Sequence, residues 1–323
     1  MDIHIVAYTP GEEDRWNAFV RGSKNGTFLF ERPYMEYHSE RFEDASLMVY
    51  DDRGRIVALL PAHLSDGELR THFGLTYGGF VTDATMNTPL MLTIFRELLK
   101  YLHGRNITKV RYKTIPHIYH SMPAEEDLYC LFRADATLYR RDVLSVLDYG
   151  EVARPQERRL RNVTKARRQG LEVRETLDYA LFWPILSENL HVRYGVSPVH
   201  TLEEIQLLSG RFPDAIRLFG AFRGSDMEAG VVIYLTRQTC HVQYPGTSDK
   251  GRSSGALDLL QQTLIDRFAH QKRYFDFGTS TEDDGRRLNE GLIAFKEGFG
   301  ARAVMHDTYR LDVLEALEKL AGD

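Results

Sequence analysis

The residues able to do chemistry crowd into the last third of this chain. Thr239–Tyr244 alternates polar and apolar residues at strand period, and Gly246–Gly255 is rich in Gly and Ser. Leu257, Leu260, Leu264 and Phe268 then recur at helical spacing. A strand that enters a helix through such a turn presents backbone N–H groups at a positive helix end, uncrowded by side chains. That arrangement suits a phosphate or pyrophosphate. Lys250, Gly251, Arg252, Ser253, Ser254, Gly255 and Ala256 form the candidate turn, with Lys250 and Arg252 as its charges and Ser253 or Ser254 as helix cap. An ordinary strand–turn–helix connection has the same pattern, so both readings stand on these residues alone.

Two quoted stretches carry a family resemblance. Arg252-Ser253-Ser254-Gly255-Ala256 resembles the (Arg/Gln)-x-x-Gly-x-(Gly/Ala) acyl-CoA loop of GNAT-type acyltransferases, with Leu257 departing at the last position. Phe277-Gly278-Thr279-Ser280, followed by the run from Leu288 to Gly300, resembles the closing segment of Fem-like members of that superfamily. The resemblance implies a double-GNAT protein related to the peptidoglycan aminoacyl transferases. It also implies that the pair Phe295-Lys296, together with Asn289 of the same run, borders a donor or acceptor site.

Acyl transfer from a thioester to an amine needs four things: a grip on the donor, N–H groups at the thioester oxygen, a base for the amine and an acid for the thiolate. On the strand, His241 and Gln243 are expected on one face, Val242 and Tyr244 on the other. His241 has the intrinsic basicity for the task, although a strand histidine that is merely hydrogen-bonded reads the same way. Glu282 and Asp283 lie in an acidic loop after a strand, where α/β sheets present their clefts. They equally suit the start of the helix that follows. Tyr244 and Tyr309 are the candidate acids, and packing is their plain alternative.

A basic helix is predicted over Ala153–Gln169, with Pro155 in its first turn and Gly170 at its end. Arg161, Lys165 and Arg168 are its candidates for meeting the phosphates of a nucleotide-linked acceptor, a CoA or an RNA acceptor stem; a solvated face is the other reading. His117 and His120 have i, i+3 spacing but no third ligand beside them, so no metal is expected.

The elements that must position these groups read as a mixed α/β chain. At 323 residues, 43% apolar and 27% charged, the composition is globular and long enough for two domains. Hairpins starting at Ser46 and Ile216, helices at Pro89 and Gly255, and strands at Lys109 and Arg273 recur at an offset of about 170 residues. The expected fold is therefore a tandem pair of GNAT-like domains, with sheets flanked by helices. Residues 1–150 would form the acceptor side with a degenerate donor loop, and 151–323 would hold the donor site. A net charge of −5 argues against a general nucleic-acid or membrane-surface binder. With no leader and no long apolar run, a cytoplasmic protein without membrane insertion is expected.

Together with the resemblance, these features point to an N-acyltransferase taking acetyl-CoA as co-substrate. The acceptor would be a small-molecule amine, such as a nucleotide-linked sugar or cell-envelope precursor. An aminoacyl-tRNA-dependent peptidoglycan bridge transferase is the alternative, although the chain lacks the long helical arm some of those enzymes carry. A non-catalytic GNAT-like binding module is the third reading, and the Leu257 departure is its support.

Overall fold

A computed structural model describes residues 2–151 and 153–321. The chain crosses repeatedly between two compact units. One comprises Met1–Asp142, Asp284–Arg286 and Met305–Asp323; the other comprises Val143–Asp283 and Arg287–Val304.

Unit 1 begins from a hairpin. Asp51 accepts the backbone N–H groups of Arg53 and Arg55, and Gly54 takes a positive φ of 72°, so Leu47–Tyr50 turns back into Ile56–Leu60. His4–Ala7 and Val81–Thr82 complete this four-stranded sheet. In a second layer Lys109–Lys113 pairs in parallel with Glu68–Arg70 and antiparallel with residues 308–312. The helix Thr88–His103 has Asn87 as cap, accepting from Leu90 N–H, and Pro89 in its first turn. It buries Met91, Ile94, Phe95, Leu98, Leu99 and Leu102. Residues 305–321, counted with the second half in the sequence reading, cluster here: Val313, Ala316 and Leu320 of the helix Val313–Leu320 join the same core. The short helix Arg32–Met35 gives way to a 3-10 segment in which His38 leaves helical geometry (φ −126°, ψ 27°).

Unit 2 is a single sheet in the order Glu172–Thr176, Ile216–Arg223, Asp226–Leu235, Thr239–Thr247, Tyr274–Thr279 and residues 144–148. The helix Ala256–Phe268 covers one face, where Leu260, Leu264 and Phe268 meet Val231, Ile233, Val242 and Phe275. On the other face lies the helix Tyr179–Tyr194. A Cβ on Gly230 would come within 2.2 Å of the Phe182 ring and one on Gly246 within 2.9 Å, so these paired glycines make the seat for that ring. Among the described residues no helix is long and apolar enough to cross a membrane.

Candidate functional site

Two irregularities in one strand shape the site. Thr239–Thr247 pairs in parallel with Tyr274–Thr279 over three positions only, the last being His241 opposite Asp276, and then the strands part. Against its antiparallel neighbour the register steps from Val232↔Tyr244 to Ile233↔Val242. Gln243 is thus the extra residue of a β-bulge, and one extra residue inverts the alternation beyond it. This corrects the expected faces. Tyr244 shares the His241 face, since Val232 and Tyr234, their partners, are two residues apart. There the Tyr244 hydroxyl lies 2.5 Å from His200 Nδ1 and its ring meets Trp183 edge-on at 5.6 Å. Burial pushes its pKa up to about 12.

At the fork sits Asp276, with no exposed surface. Its carboxylate accepts from Gly278 N–H at 2.7 Å and lies 2.8 Å from His241 Nδ1, which fixes the imidazole's orientation. Lys296 is 6% exposed and donates to the carbonyls of Gly278 and Thr279 at 2.9 and 2.5 Å. Burial pushes its pKa down to about 8, with the Asp276 charge opposing.

Val242 and Phe277 face a cavity of about 870 Å³ on the side of the helix Ala256–Phe268. The basic helix, Glu157–Arg168, lines it with Arg158, Arg159 and Asn162; Asn189 and Arg193 come from the helix Tyr179–Tyr194. Arg158, Arg193 and Arg252 are exposed, whereas Arg159 is 7% exposed. Arg159 donates to Asp258 at 2.7 Å and lies over the Phe295 ring at 4.7 Å. Asn189 takes both backbone groups of Thr247, its amide standing in for a strand neighbour and fixing the strand's end.

The candidate anion turn is built differently from expectation. Ser248, rather than Ser253 or Ser254, is a cap: it receives Gly251 N–H and starts a short helix, Asp249–Ser254. Gly255, at φ 82°, is the residue before the next helix and has no capping side chain. A Cβ on Gly251 would sit 2.2 Å from the Glu228 carbonyl, and one on Gly255 would sit 2.8 Å from that of Asn162. Both positions require glycine. Gly255 N–H bonds to Gly251, so the first turn offers Ala256, Leu257 and Asp258 as N–H groups without an intrahelical acceptor. Ser254 donates to Glu228 at 2.6 Å, and Ser253 presents its carbonyl to Lys165 Nζ at 2.7 Å. Lys250 borders a neighbouring groove, while Gly251 and Arg252 line the cavity.

Of the remaining sequence candidates, Asn289, Phe295 and Lys296 line the cavity. Arg161 and Arg168 are exposed on other faces of their helix and outside the lining. Glu282 is held by Asn289 and Arg287 at 2.8 and 2.6 Å, and Asp283 by Arg287 at 3.0 Å. Tyr309 belongs to unit 1 and donates to Asp307 at 3.3 Å. Sequence reasoning passed over Asn162, Arg193, Asp258 and Asp276, and it counted Arg158 and Arg159 only among the cations of the basic helix. Asp276 carried a signal: a carboxylate between two phenylalanines of a buried strand must have partners. Among the described residues no three His, Cys, Asp or Glu side chains stand ready for a metal ion.

Residues 151–286 match the model of the acetyltransferase (GNAT) domain. Among curated proteins none matches the sequence. Among solved structures, FemX aligns with 99% of this chain and 100% of its own at TM-score 0.67 and 12% identity. The C-terminal domain of a putative lysylphosphatidylglycerol synthetase from Agrobacterium fabrum aligns over 97% of this chain and 95% of its own, at TM-score 0.62 and 12% identity. A tandem GNAT protein from the clavulanic acid biosynthesis pathway covers 97% and 99%, at TM-score 0.53 and 11% identity. Residues 151–286 are thus similar to a GNAT domain, and the chain has the mixed α/β, tandem GNAT-like fold of these solved structures.

Proposed function

We propose that unit 2 is an N-acyltransferase whose cavity holds an acyl-CoA, acetyl-CoA in the first instance. The acyl group passes to an amine reached from the His241 face. One observation carries the reading: the strands part directly after His241 and Asp276, which leaves a cationic cavity on one face and an oriented imidazole on the other. The cavity's polar wall suits the donor. Gln261 lines it at 1% exposure with its amide oxygen unpartnered, and Arg159 Nε is buried without an acceptor. A pantetheine arm brings amide N–H and C=O groups to satisfy both. Exposed Arg158, Arg193 and Arg252 suit the phosphates.

In the proposed step the amine nitrogen bonds to the thioester carbon, the C–S bond breaks, His241 accepts the amine proton and Lys296 supplies one to the departing thiolate. A bulge leaves backbone groups unpaired in its ladder, and at Gln243 these are the candidate donors for the developing oxyanion. The acceptor class favoured is a nucleotide-linked amino sugar or cell-envelope precursor amine.

The aminoacyl-tRNA reading has an observation of its own. The short helix Asp249–Ser254 stands where an open Gly/Ser-rich turn was expected, and the Asp258 carboxylate in the next helix's first turn takes Arg159 and Asn162 as its own partners. Thermal melts with acetyl-CoA, CoA and succinyl-CoA separate the two readings. A ligand at a hundredfold its Kd adds about 2.7 kcal/mol. Stabilisation by a CoA that is lost in Arg158→Ala/Arg252→Ala is the expected result. No shift with any CoA, followed by salt-dependent binding of charged tRNA, would transfer the assignment to the tRNA donor.

A further inference from the structure

Unit 1 holds a concentration of positive charge that the acyl-transfer reading does not use. Residues 68–70, 109–113 and 308–312 are adjacent strands, and their register sets Arg70 opposite Arg111 and Arg111 opposite Arg310. Their neighbours Leu69, Val110 and Leu311 all face the core, so the three arginines share the outer face. At about 4.8 Å between strands, like charges set directly opposite one another repel.

Little compensates them. Glu68 serves two at once, 2.7 Å from Arg70 and 3.2 Å from Arg111. Asp66 reaches Arg70 at 3.4 Å from an exposed turn. Arg310 has no carboxylate partner among the described residues, and Arg111 Nε is buried without an acceptor. Lys113 follows on the same face, its ammonium bonded to the Leu75 carbonyl, and Arg140 and Asp142 act on it as a charged pair. Enclosure pushes its pKa down to about 7, a group that a bound anion would keep charged.

Beside Glu68 and Asp66, the cations are held by rings. Arg111 and Arg310 lie 5.0 and 4.1 Å from the Tyr139 ring, and Arg70, Arg111 and Lys113 lie 6.0, 5.7 and 5.1 Å from that of Phe73. Rings fix guanidinium planes without neutralising them, which leaves the N–H forks for a ligand. The row opens at Arg310 and Tyr139 onto a cleft of about 420 Å³. Of that cleft's acids, Asp312 caps the helix Val313–Leu320 and Asp135 is paired with Lys319; Glu315 is the third.

We infer that this arginine row is an anion-binding site for a phosphate or diphosphate group, separate from the cavity of unit 2. A single carboxylate would leave most of the charge unmatched, whereas a diphosphate offers several oxygens at the spacing of neighbouring strands.

The test is calorimetric titration of the full chain in chloride buffer with inorganic pyrophosphate, inorganic phosphate and acetate. Pyrophosphate is expected to bind tightest and acetate not at all. Arg310→Ala, an exposed residue with no ion pair, should weaken pyrophosphate at least fivefold. Arg111→Lys, which keeps the charge and loses the fork, should weaken it by a similar factor. In the background of the cavity variant Arg158→Ala/Arg252→Ala, which removes two of the anchors proposed for CoA in unit 2, pyrophosphate should still bind and Arg310→Ala should still weaken it. The inference is overturned by absence of heat with pyrophosphate. Unchanged affinity in Arg310→Ala, or loss confined to Arg158→Ala/Arg252→Ala, would overturn it equally.

Discussion

Lys296 is held by two carbonyls in the wall of the unit 2 cavity, with no carboxylate in contact among the described residues. In the folded protein its pKa is about 8 against an ordinary 10.5, so between those values the unfolded chain binds more protons. Folding stability therefore rises with pH through that window, and below about 8 the whole penalty, on the order of 3 kcal/mol, is present. Lys113 acts in the same direction. Urea midpoints measured from pH 7.5 to 9.5 should increase in the parent. In Lys296→Met the slope should shrink by about one proton per molecule. A parallel slope in the variant would mean that Lys296 is solvated and ordinary. The proposed proton for the thiolate would then need another source.

At the scale of elements, the site depends on where strands and helices deviate from regularity. Gly255 joins the short helix Asp249–Ser254 to Ala256–Phe268 at a positive φ and in contact with the basic helix. Gly255→Ala should destabilise by about 1–3 kcal/mol through backbone strain and the clash with Asn162. Gly210 is the contrast: it lies in the helix Leu202–Arg211 with open space around it, so Gly210→Ala should stabilise by about 0.5–1 kcal/mol. Urea denaturation of both variants checks the pair, and equal effects would refute the local reading of Gly255. Much at this scale was legible in the sequence. The spacing of Met91, Ile94, Phe95 and Leu98 announces a helix, and Asp51 to Gly54 announces a turn. The bulge was not legible. Gln243 interrupts no alternation of residue types, because Tyr244 is amphipathic enough for either face; only pairing with Val232 reveals which face it takes. The cavity-facing side of the basic helix was hidden for a similar reason. Cations surround that helix, and the choice of Arg158 and Arg159 over Arg161 is made by packing at Val163 and Ala166.

At the scale of the molecule, the two units repeat one plan: a hairpin, a third strand, an amphipathic helix and a returning strand. Where the third and fourth strands of unit 2 touch for three residues and then fork, their counterparts in unit 1, Val81–Thr82 and Lys109–Lys113, lie in different sheets. The periodicity in the sequence conveys the plan. It is silent about the destination of the last strand, since nothing in Thr308–Asp312 specifies which sheet receives it. The structure gives it to unit 1, so that unit is completed only by the end of the chain. A chain truncated after Val304 lacks the strand partner of Lys109–Lys113 and the apolar side chains of Val313, Ala316 and Leu320. Loss of that much buried apolar surface exceeds what a small core tolerates. Amide exchange in the truncated chain should accelerate in Lys109–Lys113 and Thr88–His103, while Thr239–Thr247 keeps its protection. Protection retained in both units would show the terminal strand to be an accessory. Loss in both would show that unit 2 does not stay folded when the segment completing unit 1 is removed.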